Sequence, residues 1–115
     1  MTINIKEDWK EEESILQKDT CMLVGGIAKA GINNAEDILN SIQSYSKEEM
    51  EKNIITINGL EWEQVKANSI DGIAKAEILY KKHNNKGYLV ILSYSNEYAD
   101  CITDWEEMKQ TIKLK

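Results

Sequence analysis

The strongest structural signal in this chain is the dipeptide Asn58-Gly59, which lies between two runs rich in apolar and β-branched residues. Asn and Gly tolerate the positive φ angles of a type I′ turn, the turn that joins adjacent antiparallel strands most tightly. The preceding run is Ile54–Ile57, and the following run, Leu60–Ala67, begins by alternating apolar residues with glutamates. This pattern predicts a β-hairpin whose second strand has one solvated face.

A second hairpin is predicted directly after the first. Its strands are Ile73–Lys82 and Tyr88–Ser95, and the segment between them, His83–Gly87, is predicted to be the turn. Residues Tyr88–Leu92 are apolar on both faces, as in a central strand that is covered on both sides.

The chain is predicted to close with an amphipathic helix from about Asp104 to Lys113. Thr103 and Glu106 have the spacing of a capping box at its start. Trp105 heads the apolar stripe of this helix, followed by Met108 and Ile112.

The first half carries weaker strand signals. Short strands are predicted at Thr2–Ile5 and Ser14–Gln17, and Lys6–Glu13 between them is read as a charged loop or helical turn. Thr20–Ala30 is read as a bent strand, because Gly25-Gly26 in its middle indicates a bulge or a close backbone approach.

Two helices are predicted between the halves. Asn33-Asn34 precedes two acidic residues and is a good helix cap, so a helix is expected to start there. Its buried face would contain Ile32, Ala35, Ile38, Leu39, Ile42 and Tyr45. Ser46 and Glu49 form a second capping-box pattern, which predicts a short helix through about Lys52.

Length and charge restrict the class of protein. The 115 residues make one domain, 1–115, with a net charge of −6, and every basic residue is Lys. Without the Arg fork and with a negative field, the chain is a poor nucleic-acid binder, and no nucleic-acid partner is expected. Its apolar runs are too short for a transmembrane segment. Localisation stays open: cytoplasmic if the chain is complete, extracytoplasmic (lipoprotein-type) if it is an excised mature domain.

The two cysteines do not have the spacing of a zinc site. Cys21 and Cys101 lie 80 positions apart and form no CxxC pattern. The favoured interpretation is two separate buried or half-buried thiols. A single disulfide is the alternative if the chain resides outside the cytoplasm.

No catalytic, cofactor-binding or metal-binding residue is predicted. Gly26–Gly31 has the glycine spacing of a phosphate loop, but Ile32-Asn33 replaces the Lys and the hydroxyl residue that this loop requires. His83 is the only histidine and lies in a predicted turn, where a side chain usually faces solvent. The acidic groups lack the oxygen-ligand pattern of a calcium loop.

Four residues are candidates for an interaction surface. Glu61 and Glu63 lie on the solvated face of their strand, His83 lies in its turn, and Tyr98 lies at the edge of an element. Trp62 and Trp105 are predicted to be core residues instead. An exposed aromatic side chain at a rim is a common protein contact.

The order of elements resembles the Mog1/PsbP-like domains, especially those of small bacterial lipoproteins and uncharacterised bacterial proteins. The resemblance rests on the leading segment Ile5–Trp9, the Asn58-Gly59 hairpin, the long second hairpin and the closing segment Thr103–Lys113. It implies an α+β fold, a twisted antiparallel sheet flanked by helices in an α/β/α sandwich. The family generally serves as a scaffold for protein partners and not as an enzyme, and none of its functional residues can be transferred to this chain.

Three functional hypotheses follow. The first is a non-enzymatic interaction module with an unidentified protein partner. The second is a small acidic immunity-type protein that neutralises a basic toxin or enzyme, motivated by the negative charge and small size. The third is a small enzyme with an unrecognised site, which would need His83 and Cys21 or Cys101 near a buried carboxylate.

Overall fold

The fold is a seven-stranded antiparallel sheet with two helices, seen in a computed structural model that describes residues 1–42, 44–95 and 99–114. In chain order the elements are β1 (Lys10–Glu12), β2 (Ile15–Lys18), β3 (Cys21–Ile27), α1 (Ala35–Ser41), β4 (Glu51–Ile57), β5 (Leu60–Asn68), β6 (Lys75–His83), β7 (Lys86–Tyr94) and α2 (Asp100–Lys109). The strands lie in the order β1-β2-β3-β7-β6-β5-β4, and every neighbouring pair is antiparallel.

Both predicted hairpins are present. Asn58 and Gly59 have φ angles of 49° and 80°, and Ile57 pairs with Leu60, which confirms the tight turn between β4 and β5. The turn between β6 and β7 is shorter than expected. His83 pairs with Lys86, so the turn consists of Asn84 and Asn85, which both have positive φ angles.

The leading segment differs from the prediction. Thr2–Ile5 forms no strand of the sheet, and within the described residues its only ladder contact is an isolated bridge between Thr2 and Lys113. Lys10–Glu12, predicted to be loop or helical turn, pairs with β2 instead. All three of its residues are exposed, so this strand carries no apolar alternation that could reveal it.

The bent strand also needs a correction. β3 pairs with β7 through six consecutive residues, from Met22 to Ile27, so the two glycines form no bulge in this ladder. The close approach expected there comes from a side chain: a Cβ on Gly25 would lie 3.2 Å from the terminal methyl carbon of Met1.

The predicted helix start at Asn33-Asn34 is confirmed, and the prediction of a short helix from Ser46 is wrong. Asn34 caps α1, and its side-chain oxygen accepts the backbone N–H of Asp37 at 2.8 Å. The short helix predicted from Ser46 does not form. The Ser46 hydroxyl accepts the N–H of Glu48 in a local turn, Glu49 has a φ of 60°, and β4 begins two residues later. Pairing with β5 wins over the local capping pattern.

The closing helix begins earlier than its capping box predicts. α2 starts at Asp100 after Ala99, which has no side chain that can cap, and Thr103 lies inside the helix. The predicted apolar stripe is nevertheless buried: Trp105, Met108 and Ile112 are each 1% exposed, although Ile112 lies beyond the helix end.

Alternation along the strands divides the apolar residues between the two faces of the sheet. The cluster on one face, here called the α2 side, contains Trp62 and Leu79 together with Trp105 of α2. The cluster on the other face, the α1 side, contains Val65 and Ile78 together with Leu39 of α1. Trp62 is 1% exposed, which confirms it as a core residue.

A disulfide joins Cys21 to Cys101, so the expectation of two separate thiols is wrong. It connects the first residue of β3 to the first turn of α2, and both cysteines are fully buried. Folding brings together two residues that are 80 positions apart, which spacing in the sequence cannot reveal.

A charged network lies under α2 in the interior. The carboxylate of Glu77 on β6 accepts hydrogen bonds from Lys109 at 3.0 Å, Trp105 at 3.3 Å and Gln64 at 3.0 Å. Lys109 also pairs with Glu106 at 3.0 Å. Burial by itself lowers the pKa of Lys109, but the carboxylates of Glu77 and Glu106 outweigh it and raise this pKa above its ordinary value. The lysine therefore stays charged inside the fold.

We expect the disulfide to contribute about 2–5 kcal/mol to the free energy of unfolding, because it restricts the unfolded chain between distant residues. Replacing both cysteines by Ser should lower the urea unfolding midpoint accordingly. Adding a thiol reductant should lower the midpoint of the original protein and leave that of the double variant unchanged. A midpoint that does not respond to reductant would contradict this role.

Replacing Lys109 with Met should cost about 3–5 kcal/mol of unfolding free energy, because it leaves the buried Glu77 carboxylate without its cation. The double variant Glu77→Gln/Lys109→Met should lose less than the sum of the two single variants, as measured by urea unfolding. Because folding raises the pKa of Lys109 above 10.5, its contribution to the free energy of unfolding is complete below pH 10.5. That contribution is lost as the pH rises through the pKa that Lys109 has in the folded protein. The stability gap between the original protein and Lys109→Met should therefore narrow in strong alkali, and a constant gap would exclude the charge as its cause.

Candidate interaction surface

β4 forms one edge of the sheet and pairs only with β5. In a two-residue hairpin, the residues that flank the turn form a hydrogen-bonded pair, and pairs alternate in type along the ladder. Counting back from Ile57, the backbone groups of Lys52, Ile54 and Thr56 therefore point away from β5. Among the described residues no strand pairs with this outer edge, so its donors and acceptors are open to another chain.

The edge has few of the features that prevent strand pairing. Natural edge strands are usually short, or carry proline, bulges or several charges. β4 has seven residues in continuous register with β5, and its charged residues are confined to its first two positions, Glu51 and Lys52. Its central residue, Ile54, is 63% exposed. β4 thus offers a regular, partly apolar template for another strand.

A cavity of about 550 Å³ lies beside β4 on the α1 side of the sheet. Lys52 and Ile54 of β4 line it, and Glu63 and Val65 of β5 continue its wall. The other wall comes from the start of α1, at Asn34 and Glu36. We call the open edge and this cavity together the β4 groove.

Hydrogen bonds hold the α1 wall of the groove in place. Asn34 caps the helix through the N–H of Asp37, and Glu63 Oε1 accepts the N–H of Ala35 at 3.3 Å. Glu36 forms an ion pair with Lys52 across the groove. The two glutamates are therefore positioned by the fold.

The groove has a negative electrostatic character. Glu36 and Glu63 line it, and its one lining ammonium, Lys52, is already paired with Glu36. Tyr80 pairs with Glu63 across the ladder. Burial, followed by the charges of Glu63 and Asp37, raises the pKa of Tyr80 above its usual value, since both carboxylates disfavour a phenolate.

The sequence candidates fall at different places in the fold. Glu63 lines the groove, and Glu61 lies exposed two residues before it on the same face of β5. His83 ends β6 on the same face as Leu79, which is the α2 side, so the structure does not bring it to the two glutamates. Tyr98 lies outside the described residues.

Sequence reasoning missed the edge itself. The sequence predicts a strand at Ile54, but only the sheet order shows that this strand has no outer neighbour among the described residues. The sequence predicts a helix through Lys52 that does not form, and it marks Glu36 only as an acidic residue in the first turn of α1. The alternating glutamates after Gly59 were the one signal that pointed towards this surface.

Several chemistries lack support in the described part of the chain. It contains no group of three or more His, Cys, Asp or Glu side chains arranged to hold a metal ion. The disulfide leaves neither Cys21 nor Cys101 with a thiolate for nucleophilic chemistry. Neither helix in the described ranges is long and apolar enough to cross a lipid bilayer.

Comparison of the chain with protein-family models, curated proteins and solved structures finds no match.

Replacing Glu63 with Gln should lower the pKa of Tyr80 towards its ordinary value of 10.0, because the amide removes the charge and keeps an oxygen for the N–H of Ala35. Burial should keep the pKa above that value. An NMR pH titration with ¹³C-labelled tyrosine would measure it. Glu61→Gln is the matched control and should have a smaller effect, so equal shifts in the two variants would contradict the assignment.

Proposed function

We propose that this protein is a non-enzymatic interaction module that binds an extended segment of a partner protein along β4. The observation that carries the proposal is an open, regular edge strand with an exposed Ile54 beside a cavity of about 550 Å³. When a peptide adds a strand to a sheet, backbone hydrogen bonds provide affinity and adjacent pockets select side chains. The β4 groove combines both elements.

The absence of an enzymatic role is part of the same proposal. Charged groups that would otherwise be candidates for chemistry are engaged in structural contacts. Glu77 is held by Lys109, Trp105 and Gln64, and Asp104 accepts hydrogen bonds from Trp9 at 3.1 Å and Lys18 at 2.6 Å. The contact with Lys18, followed by that with Trp9, lowers the pKa of Asp104, which favours an ionised carboxylate over a general acid at neutral pH.

We also propose that the architecture is the α/β/α sandwich of the Mog1/PsbP-like domains. The two apolar clusters on opposite faces of the sheet, one with residues of α1 and one with residues of α2, support it. In such a scaffold both faces of the central strands are covered, so the open edge of β4 becomes the natural place for a partner.

The disulfide supports the extracytoplasmic alternative for localisation, because disulfides persist in oxidising compartments and are rare in the cytosol. Free thiols at Cys21 and Cys101 in protein that is acid-quenched directly from its native source would exclude this alternative.

Strand probes can test binding at β4. The probes are end-blocked peptides of sequence Thr-Val-Thr-Xaa-Thr-Val-Thr in which Xaa is Lys, Met or Glu. At least one should shift the amide NMR signals of Lys52, Ile54 and Thr56 and slow their hydrogen exchange, because these N–H groups gain acceptors. Ile54→Pro should abolish the effect, since proline removes the central donor.

The matched control is Ile54→Thr, which shortens the same side chain and keeps the N–H. Because the N–H of Ile54 points away from β5, both variants should keep the β4–β5 ladder and unfold cooperatively. Equal probe binding by the two variants, or shifts confined to another part of the sheet, would refute binding along the edge.

A further inference from the structure

We infer that the β4 groove selects extended segments that carry a lysine or arginine side chain, which enters the cavity lined by Ile54 and Glu63. This inference rests on the proposed function and names the partner chemistry of the same surface. It concerns charge selection, which is separable from strand pairing itself.

The geometry of an added strand places its side chains at the groove. A strand paired with β4 lies about 4.8 Å outside it, and the residue opposite Ile54 projects to the same face as Ile54. On that face Ile54 of β4 lies beside Glu63 of β5, and Glu63 lies beside Tyr80 of β6, one strand further into the sheet. A side chain that reaches the carboxylate must therefore be long and must cross an isoleucine.

Lysine and arginine meet both requirements. Their aliphatic stems pack on apolar surface while the charged head group reaches a polar partner. The exposed side chain of Ile54 offers that apolar surface, and Glu63 offers the carboxylate beyond it. Glu63 uses Oε1 for the N–H of Ala35 and forms no ion pair within the described ranges. Its charge is thus free to receive a cation.

The surrounding charges favour a cation over an anion. Glu61 lies opposite Thr56 on the same face, next to Glu63. Asp37 lies near enough to raise the pKa of Tyr80 together with Glu63. Lys52 is the one ammonium at the groove, and its pairing with Glu36 offsets it. An acidic side chain opposite Ile54 would face carboxylates, and the net charge of −6 would oppose its approach.

An apolar side chain fits the cavity less well. Val65 in the cavity wall is only 3% exposed, so Ile54 is the one apolar lining side chain that an incoming group could cover. The rest of the lining is largely polar or charged, and an apolar group would remove water from Glu63 without replacing its hydrogen bonds. A basic partner is also what the immunity-type hypothesis requires.

The three strand probes test this selection directly, with dissociation constants measured by NMR titration at low and at physiological salt. For the original protein the Lys probe should bind roughly two- to fivefold more tightly than the Met probe, as expected for a partly exposed ion pair, and the Glu probe should bind most weakly. Higher salt should reduce the advantage of Lys over Met.

Two variants locate the selecting charge. Glu61→Gln/Glu63→Gln should bind the Lys and Met probes with nearly equal affinity. The matched control, Glu11→Gln/Glu12→Gln, removes the same charge from β1 at the opposite edge of the sheet and should keep the preference for Lys.

The outcomes separate this inference from the proposed function. If all three probes bind at β4 with equal affinity, or the Glu probe binds best, charge selection is refuted and strand pairing stands. If the preference for Lys survives in Glu61→Gln/Glu63→Gln, the assignment to this cavity is refuted. If no probe perturbs β4, both proposals fail.

Discussion

The carboxylate of Glu77 imposes a constraint on the whole α2 side of the sheet. A charge buried in a protein interior is stable only when hydrogen-bond donors and an opposite charge surround it. Trp105 and Lys109 of α2 provide an indole N–H and an ammonium, and Gln64 of β5 provides a third donor. Because these donors must all reach one carboxylate, α2 is held at a defined position along the sheet.

The disulfide reinforces the same attachment from the other end of the helix. Cys101 lies in the first turn of α2 and Lys109 at its last residue, so the helix is fixed to β3 at its start and to β6 at its end. Between them Trp105 fills the core with Trp62 and Leu79. Covalent, ionic and apolar contacts thus converge on one helix, which explains how a weakly capped helix is stable here.

The α1 side has the shorter of the two helices, and the candidate surface lies there. α1 has only seven residues, and its apolar contacts are with β5 and β6. A cavity whose lining includes the carboxylates of Glu36 and Glu63 lies between the start of α1 and the strands β4 and β5. The outer edge of β4 beside it pairs with no strand in the described part of the chain. The candidate surface thus lies away from the helix that the disulfide and the Glu77 network fix to the sheet.

The sequence predicted features that depend on neighbouring residues. Asn58-Gly59 gives its turn because both residues tolerate positive φ, and Asn34 caps α1 because its side chain reaches an N–H three residues later. The burial of Trp62 and Trp105 follows from apolar alternation along a strand and from apolar periodicity along a helix. The capping box at Ser46 failed because the pairing of β4 with β5 competes with its local hydrogen bonds, and the one at Thr103 failed because α2 already begins at Asp100.

The sequence by itself therefore determined the hairpins, the cap of α1 and which large side chains avoid water, since these depend on local backbone preference and hydrophobicity. Only the tertiary structure decided that Cys21 meets Cys101, that Glu77 meets Lys109, and that β4 lies at an edge. These facts depend on the order of strands in space, which no local pattern encodes. The glutamates after Gly59 were visible as a solvated face, and the sheet order turned that face into one wall of a groove.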